Sequence, residues 1–299
     1  MPNMISLAPI RYAKVMREQG GPIDRLEHAY GSVWGKTRVQ AVAYLRAELV
    51  PKAFVQERVS DQPDGAGTHK TQQVACHMAI SEALERWAVY HCRRPENRDA
   101  AGMDLDGSSN GFAAFPGAFK RQARAAAFRE SIERHCLISW WEGLLGHRSL
   151  PDPLAGVTAI KLDNPFSRHE VALIWTEVHG RYAYAFGAGS NQAHAIQRAL
   201  CELDRTMRLL EVLTPEKMSG HQRAGDVFER RIAFFASESG RRRFSKRLGA
   251  LKVGASPKMN LLFDAAVEGP WNRYASVWRT VIEAPSRAYL SDAEDYFFW

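Results

Sequence analysis

Residues 65–87 read GAGTHKTQQVACHMAISEALERW, a glycine-rich stretch that opens into an apparent helix carrying Glu82-Ala83-Leu84-Glu85-Arg86. The same pattern returns in residues 109–135, SNGFAAFPGAFKRQARAAAFRESIERH, with Glu130-Ser131-Ile132-Glu133-Arg134 in the matching place. A third copy, FGAGSNQAHAIQRALCELDR over residues 186–205, keeps the glycines and the helix pattern. The last glycine of each stretch precedes the first glutamate of its helix by a nearly constant interval: Gly67 to Glu82, Gly117 to Glu130, Gly189 to Glu202. Three such loop–helix units point to an internal repeat.

The carboxylates carry the chemistry. Residues three apart on a helix share a face, so each Glu-x-x-Glu places two like charges side by side. On an exposed helix the pattern is common, and Glu82–Arg86 or Glu130–Arg134 would form an i,i+4 ion pair worth about 0.2–0.5 kcal/mol. Its recurrence behind glycine-rich stretches asks for more than that. A hard divalent cation such as Mg²⁺ turns the repulsion into attraction, because it takes oxygen ligands and bridges to phosphates.

Outward from these segments the chain reads as α+β. Residues 1–29 look helical and loop-like, broken at Gly20-Gly21-Pro22. Arg38–Leu45 and Ala53–Val59 read as strands, Thr71–His91 and Lys120–Leu145 as helices, and Pro151-Asp152-Pro153 as a stop. Val157–Leu162, Val171–Val178 and Tyr182–Phe186 alternate as strands, the last two joined at His179-Gly180-Arg181. Gln192–Leu213, Asp226–Phe235 and Arg241–Leu248 are helical, and Tyr274–Ile282 is a late strand. Strand pairs followed by helices predict helices packed on largely antiparallel sheets. No low-complexity linker divides the 299 residues, so one domain is expected, with 1–29 as an extension and a core over 38–285.

Composition removes several classes. With 45% hydrophobic and 24% charged residues the chain can bury a full core. No apolar run is long enough to span a bilayer, and the N-terminus lacks a charged region followed by an apolar one, so a cytoplasmic protein is expected. Cys76, Cys92, Cys136 and Cys201 have no Cys-x-x-Cys spacing, and His69, His77 and His135 have no partner at metal spacing. The net charge of +7 resides in short basic runs such as Arg241–Arg247, which read as solvated helix faces, so a nucleic-acid partner is not expected. Gly31–Thr37 imitates a phosphate loop, but it is one residue short and is followed by a strand, where that motif needs a helix. The aromatic pair Trp140-Trp141 and the run Tyr296-Phe297-Phe298-Trp299 read as packing residues.

The segments 65–87, 109–135 and 186–205 together resemble the YcaO family, whose members use ATP to activate peptide backbone amides; residues 229–236 give a weaker echo. The resemblance implies ATP and Mg²⁺ as cofactors, with Glu82, Glu85, Glu130 and Glu133 as metal ligands. It implies nucleotide contacts from Arg86, Arg134, Ser109, Asn110 and Gln122, and it names no acid, base or nucleophile. The implied role is a subunit that forms azolines or thioamides in a ribosomally made precursor peptide. Its partners would be that peptide and a leader-binding protein, a second YcaO chain or a dehydrogenase, in an oligomer or heterocomplex. The alternative is a catalytically degenerate paralogue that acts as a structural partner. Departures from the family pattern motivate it. Met78 stands where a serine is usual, Gln122 and Ala126 replace Glu and Gln, Gly117-Ala118 replaces Gly-Asn, and Arg205 replaces Gln. Asp292–Trp299 replaces a proline-repeat tail, and no fused leader-binding domain is evident.

Overall fold

The computed structural model describes residues 12, 14–52, 63–105, 110–117, 119–214, 227–254 and 257–299. Of the sequence expectations, residues 1–11 and 13 of the N-terminal extension, the strand over 53–59, Ser109, Ala118 and Asp226 lie outside these residues. The chain divides into two compact units, neither of them continuous in sequence. The first draws on Met1–Val55, Gln62–Phe128 and Leu262–Val281; the second on Gln56–Asp61, Arg129–Leu261 and Ile282–Trp299.

In the first unit, β1 (Ile23–Val33), β2 (Lys36–Leu45) and β3 (Gly65–His69) form an antiparallel sheet in that order. The hairpin Val33↔Lys36 turns through Trp34 (φ 51°) and Gly35 (φ 71°), the two positive φ values that suit a two-residue hairpin loop. A helical reading of Arg25–Tyr30 is therefore corrected, since these residues are strand. Cross-strand pairing decides it: Tyr30 faces Val39, and Arg25 faces Tyr44 with its guanidinium 4.1 Å from the ring centre. The phosphate-loop look-alike is this hairpin, with strand on both sides.

The first glycine-rich stretch is also strand rather than loop. Helix α1 (Gln72–Cys92) lies directly on β3, and a Cβ at Gly65 would stand 2.1 Å from the Ala79 carbonyl oxygen. At Gly67 it would stand 2.1 Å from that of Ala75. Glycine here sets the closeness of helix and strand, not a turn. A second sheet runs β4 (Gly111–Pro116), β10 (Ala275–Ile282), β9 (Leu261–Val267), with β10 in the centre and antiparallel to β4. The core of this unit includes Leu84, Trp87, Met103, Phe112, Trp271 and Val277, with Trp87 set edge-on to Trp271 at 5.9 Å. Helix α2 (Lys120–Trp141) begins here, and the boundary between units falls at Phe128/Arg129. It stops a turn short of the expected Leu145, at a turn through Gly143 (φ 86°).

The second unit contains a four-stranded antiparallel sheet, β5 (His147–Leu154), β6 (Val157–Leu162), β7 (Glu170–Val178) and β8 (Arg181–Gly189), in sequence order. Pro151-Asp152-Pro153 does not close a block; it sits in the edge strand β5, across a register shift between Leu150 and Leu154. An edge is where a residue lacking an N–H is tolerated. The β7–β8 hairpin turns at His179 (φ 52°) and Gly180 (φ 73°), as expected. Helix α3 (Gln192–Val212) packs on β8 and is capped by Asn191, whose side chain accepts from the His194 N–H at 2.9 Å. Helices α4 (Val227–Phe235) and α5 (Glu238–Leu248) add Phe235 and Phe244 to a cluster with Trp140, Tyr184 and Phe297.

The aromatic run 296–299 is packing material, as read from the sequence. Phe297 is fully buried and stacks on Trp141 at 5.3 Å. The wholly buried Arg231 donates to the carbonyl oxygens of Ser291, Ala293 and Phe298 at 2.8–2.9 Å. The α+β class with antiparallel sheets is as expected. Among the described residues no helix is long and apolar enough to cross a membrane.

Candidate functional site

Each unit carries one Glu-x-x-Glu-Arg run, and each run is held by the same device. In the first unit, α1 presents Glu82, Glu85 and Arg86. Glu82 Oε2 accepts the backbone N–H of Ala66 at 3.1 Å, and its other oxygen lies 3.7 Å from Arg86. Ala66 is the centre of Gly65-Ala66-Gly67, so the glycines that let β3 approach α1 also bring an amide to the carboxylate. Burial alone would lower the Arg86 guanidinium; Glu82, with Tyr90, Asp64 and Glu85 beyond it, outweighs that and raises it. Glu85 is partly buried and contributes to that field. Asn110 is buried at the entrance to β4, and Gln122 is exposed in the first turn of α2. Met78, one turn before Glu82, is 40% exposed, so the position where a polar group was expected presents a thioether to solvent.

In the second unit, α2 presents Glu130, Glu133 and Arg134. Glu130 pairs with Arg134 at 2.8 Å, and the Arg134 guanidinium lies 5.9 Å from the ring centre of Phe298. Glu133 accepts the backbone N–H of Ala188, the centre of Gly187-Ala188-Gly189 in β8. Two Gly-Ala-Gly tripeptides thus each aim a central alanine amide at a glutamate of the repeated run. Burial pushes the Glu133 carboxyl up to about 7, against the pull of Arg198 and the Ala188 amide, and Glu130 and Glu202 push the same way.

Glu202 was visible in the sequence as the third copy's equivalent of Glu130, yet the expected ligand set omits it. The structure puts it within the field of Glu133 and pairs it with Arg205 at 3.0 Å. Arg129 was missed as well; it stands among Arg198, Glu133 and Glu130. His69, His77 and His135 each make local contacts. His69 bonds Thr71, His77 meets the edges of Tyr12 and Phe115, and His135 packs on Phe166.

Among the described residues no three His, Cys, Asp or Glu side chains converge as a closed metal cage. Mg²⁺ does not require one, since it binds through one or two carboxylates plus phosphate oxygens and keeps water. The donor set fits such an ion: hard oxygen donors, in pairs, one of them raised toward neutrality by burial. A bound cation reverses that shift.

No protein-family profile matches the chain, and no curated protein matches it. Solved structures similar to it include the following two. One is YcaO from Methanopyrus kandleri bound with AMPPCP and Mg²⁺, 15% identical over 86% of this chain and 84% of that one, with a TM-score of 0.49. The other is a heterocyclase in complex with substrate and cofactor, 11% identical over 92% of this chain, with a TM-score of 0.54. This chain spans about half of the heterocyclase, 51% of its length. The likeness to the heterocyclase is one of fold, an α+β architecture of the class that the sequence led us to expect.

Proposed function

We propose that the chain is a YcaO-type subunit that binds Mg-ATP and activates a backbone amide of a ribosomally made precursor peptide. One observation carries this reading: in both units a Gly-Ala-Gly amide fixes a carboxylate of Glu-x-x-Glu-Arg. An exposed ion-pair helix has no use for such anchoring. Glu82 and Glu85, and Glu130 and Glu133, are the carboxylates that would take Mg²⁺. Arg86 and Arg134 would hold phosphate oxygens or the carboxylates themselves, and Asn110 would support the nucleotide with Ser109 and Gln122.

ATP, when bound, supplies the phosphoryl group that converts the amide oxygen into a phosphate leaving group. The nucleophile that adds to the amide carbon is a Cys, Ser or Thr side chain of the peptide, or external sulfide, giving an azoline or a thioamide. The protein's part in such a transfer is to position the reactants and to neutralise charge. A precursor peptide, a leader-binding or second YcaO or dehydrogenase partner, a heterocomplex and a cytoplasmic setting belong to the same reading.

The test is release of ADP and phosphate with precursor peptide and partner present, for wild type, Glu82→Ala and Glu130→Ala. Each substitution is expected to abolish turnover while leaving the melting temperature within a few degrees. Turnover that survives both removes the carboxylates from the account. A second reading, a degenerate paralogue with a structural role, is favoured by the exposed Met78 on the Glu82 stripe. Calorimetry with Mg-ATP separates the two: heat of binding supports the enzyme, and silence together with tight association to another YcaO chain supports the structural partner.

A further inference from the structure

Arg129 is the residue in the second unit that the proposed function leaves unexplained. Its Nε is buried and donates to no acceptor among the described residues, and a buried donor left unmade costs about 1–3 kcal/mol. Its neighbours do not account for it. Arg198 on α3 is a second cation beside it, and His169, just before β7, is a third nitrogen base in its field. The nearby carboxylates are already engaged: Glu130 by Arg134, Glu133 by the Ala188 amide, Glu202 by Arg205. Along this chain of contacts the guanidinium groups of Arg129, Arg134, Arg198 and Arg205 outnumber the carboxylates of Glu130, Glu133 and Glu202.

We infer that Arg129, with Arg198 beside it, is an oxyanion ligand in the second unit, and that the anion it takes is a phosphate group of the polyphosphate class. The inference rests on the reading of the chain as a nucleotide binder, and it assigns a phosphate contact to a residue outside the repeated Glu-x-x-Glu-Arg run. A planar guanidinium suits phosphate because it offers paired donors in a fixed fork. A phosphate oxygen would satisfy the buried Nε and relieve the repulsion between the two arginines in one step. It would also supply a charged contact on α2, where Ala126 offers no polar group one turn before Glu130.

The test uses the full chain, with tripolyphosphate and ATP as separate probes, each with Mg²⁺, read by calorimetry and by thermal melting. Arg129→Gln is expected to weaken both probes at least tenfold, and Arg129→Lys to recover part of the loss. Without ligand, Arg129→Gln is expected to melt at or above the wild-type temperature, since a repelled and unsatisfied cation has gone. A merely structural arginine would instead lower the melting temperature and leave affinity unchanged in the folded fraction. Wild type that binds tripolyphosphate but gains nothing from the nucleoside of ATP sinks the nucleotide reading and leaves the anion ligand standing. Equal ATP affinity in wild type and Arg129→Gln, or no binding of either probe by wild type, overturns the inference.

Discussion

His135 directly follows the Glu130–Arg134 run, and burial sets its chemistry. It is 2% exposed, its ring meets Phe166 edge-on at 4.7 Å, and neither ring nitrogen finds a partner among the described residues. Burial pushes its pKa down to about 4. In the unfolded chain the imidazole titrates near 6.5, so as pH falls through that value the unfolded state takes up a proton that the folded state refuses. Stability is therefore highest above about 6.5, declines as pH falls toward 4, and levels off below that. His147 acts in the same direction, lowered by burial and then by Arg247; its Nδ1 accepts the Trp140 indole N–H at 3.1 Å. The His135 contribution amounts to at most about 3 kcal/mol, at 1.36 kcal/mol per pH unit. Urea unfolding at pH 7.5, 6 and 5 checks it: His135→Leu is expected to lose less stability on acidification than wild type. Parallel curves for the two proteins would remove the argument. At this scale the sequence showed the carboxylates, since a three-residue spacing is visible in letters. It could not show that the amides of Ala66 and Ala188 hold them, because a backbone donor leaves no mark on residue type.

Between elements, the glycines of the repeats matter through what they let approach. A Cβ at Gly187 would lie 2.7 Å from both the carbonyl oxygen of Ala195 and the amide nitrogen of Ala199, so β8 and α3 would have to part. Gly187→Ala is expected to destabilise by about 1–3 kcal/mol, the range for overpacking a filled interior. Gly31→Ala is the control, since the nearest atom to its added carbon is the Gln40 side-chain oxygen at 3.8 Å. Thermal melts of the two variants should differ by several degrees; equal melts would mean that the contact yields without cost. The same physics explains why these stretches read as loops. Glycine most often marks a turn, and only the partner helix reveals that a strand needs it for clearance. Strand β1 was hidden for a related reason: its pattern of exposed Glu27, His28 and Tyr30 carries no strict alternation, and its pairing with β2 supplies what local preference does not. Helix α3 was legible because its apolar period agrees with its packing, and the strands β7 and β8 because short apolar runs bounded by turn residues read as strand even where both faces are buried.

At the scale of the whole chain, part of the densest basic run is engaged within the second unit. Arg243 donates to the Asp295 carbonyl at 2.8 Å, and Arg247 donates to the carbonyls of Trp140, Leu145 and Ala250, so the basic run 241–247 is tied into its own unit. The interleaving of the units has a consequence that composition could not announce, because no linker marks a boundary. The first unit takes β9 and β10 from residues far beyond β1 to β4, and β10 is the central strand of its second sheet. A fragment ending at Phe128 keeps β4 but loses the strand that pairs with it from Gly111↔Thr280 to Pro116↔Ala275. It also leaves Trp87 without Trp271, and Phe112 in a core stripped of Val277. Deleting large core side chains costs about 3–5 kcal/mol each, and a domain has only about 5–15 kcal/mol in total. The 1–128 fragment is therefore expected to show no cooperative melt and no near-ultraviolet circular dichroism. Joining residues 262–281 to it through a flexible Gly/Ser linker is expected to restore both, since the missing central strand, and not the remainder of the chain, is what the first unit lacks. A cooperative melt from 1–128 alone would show that β10 is dispensable to that core.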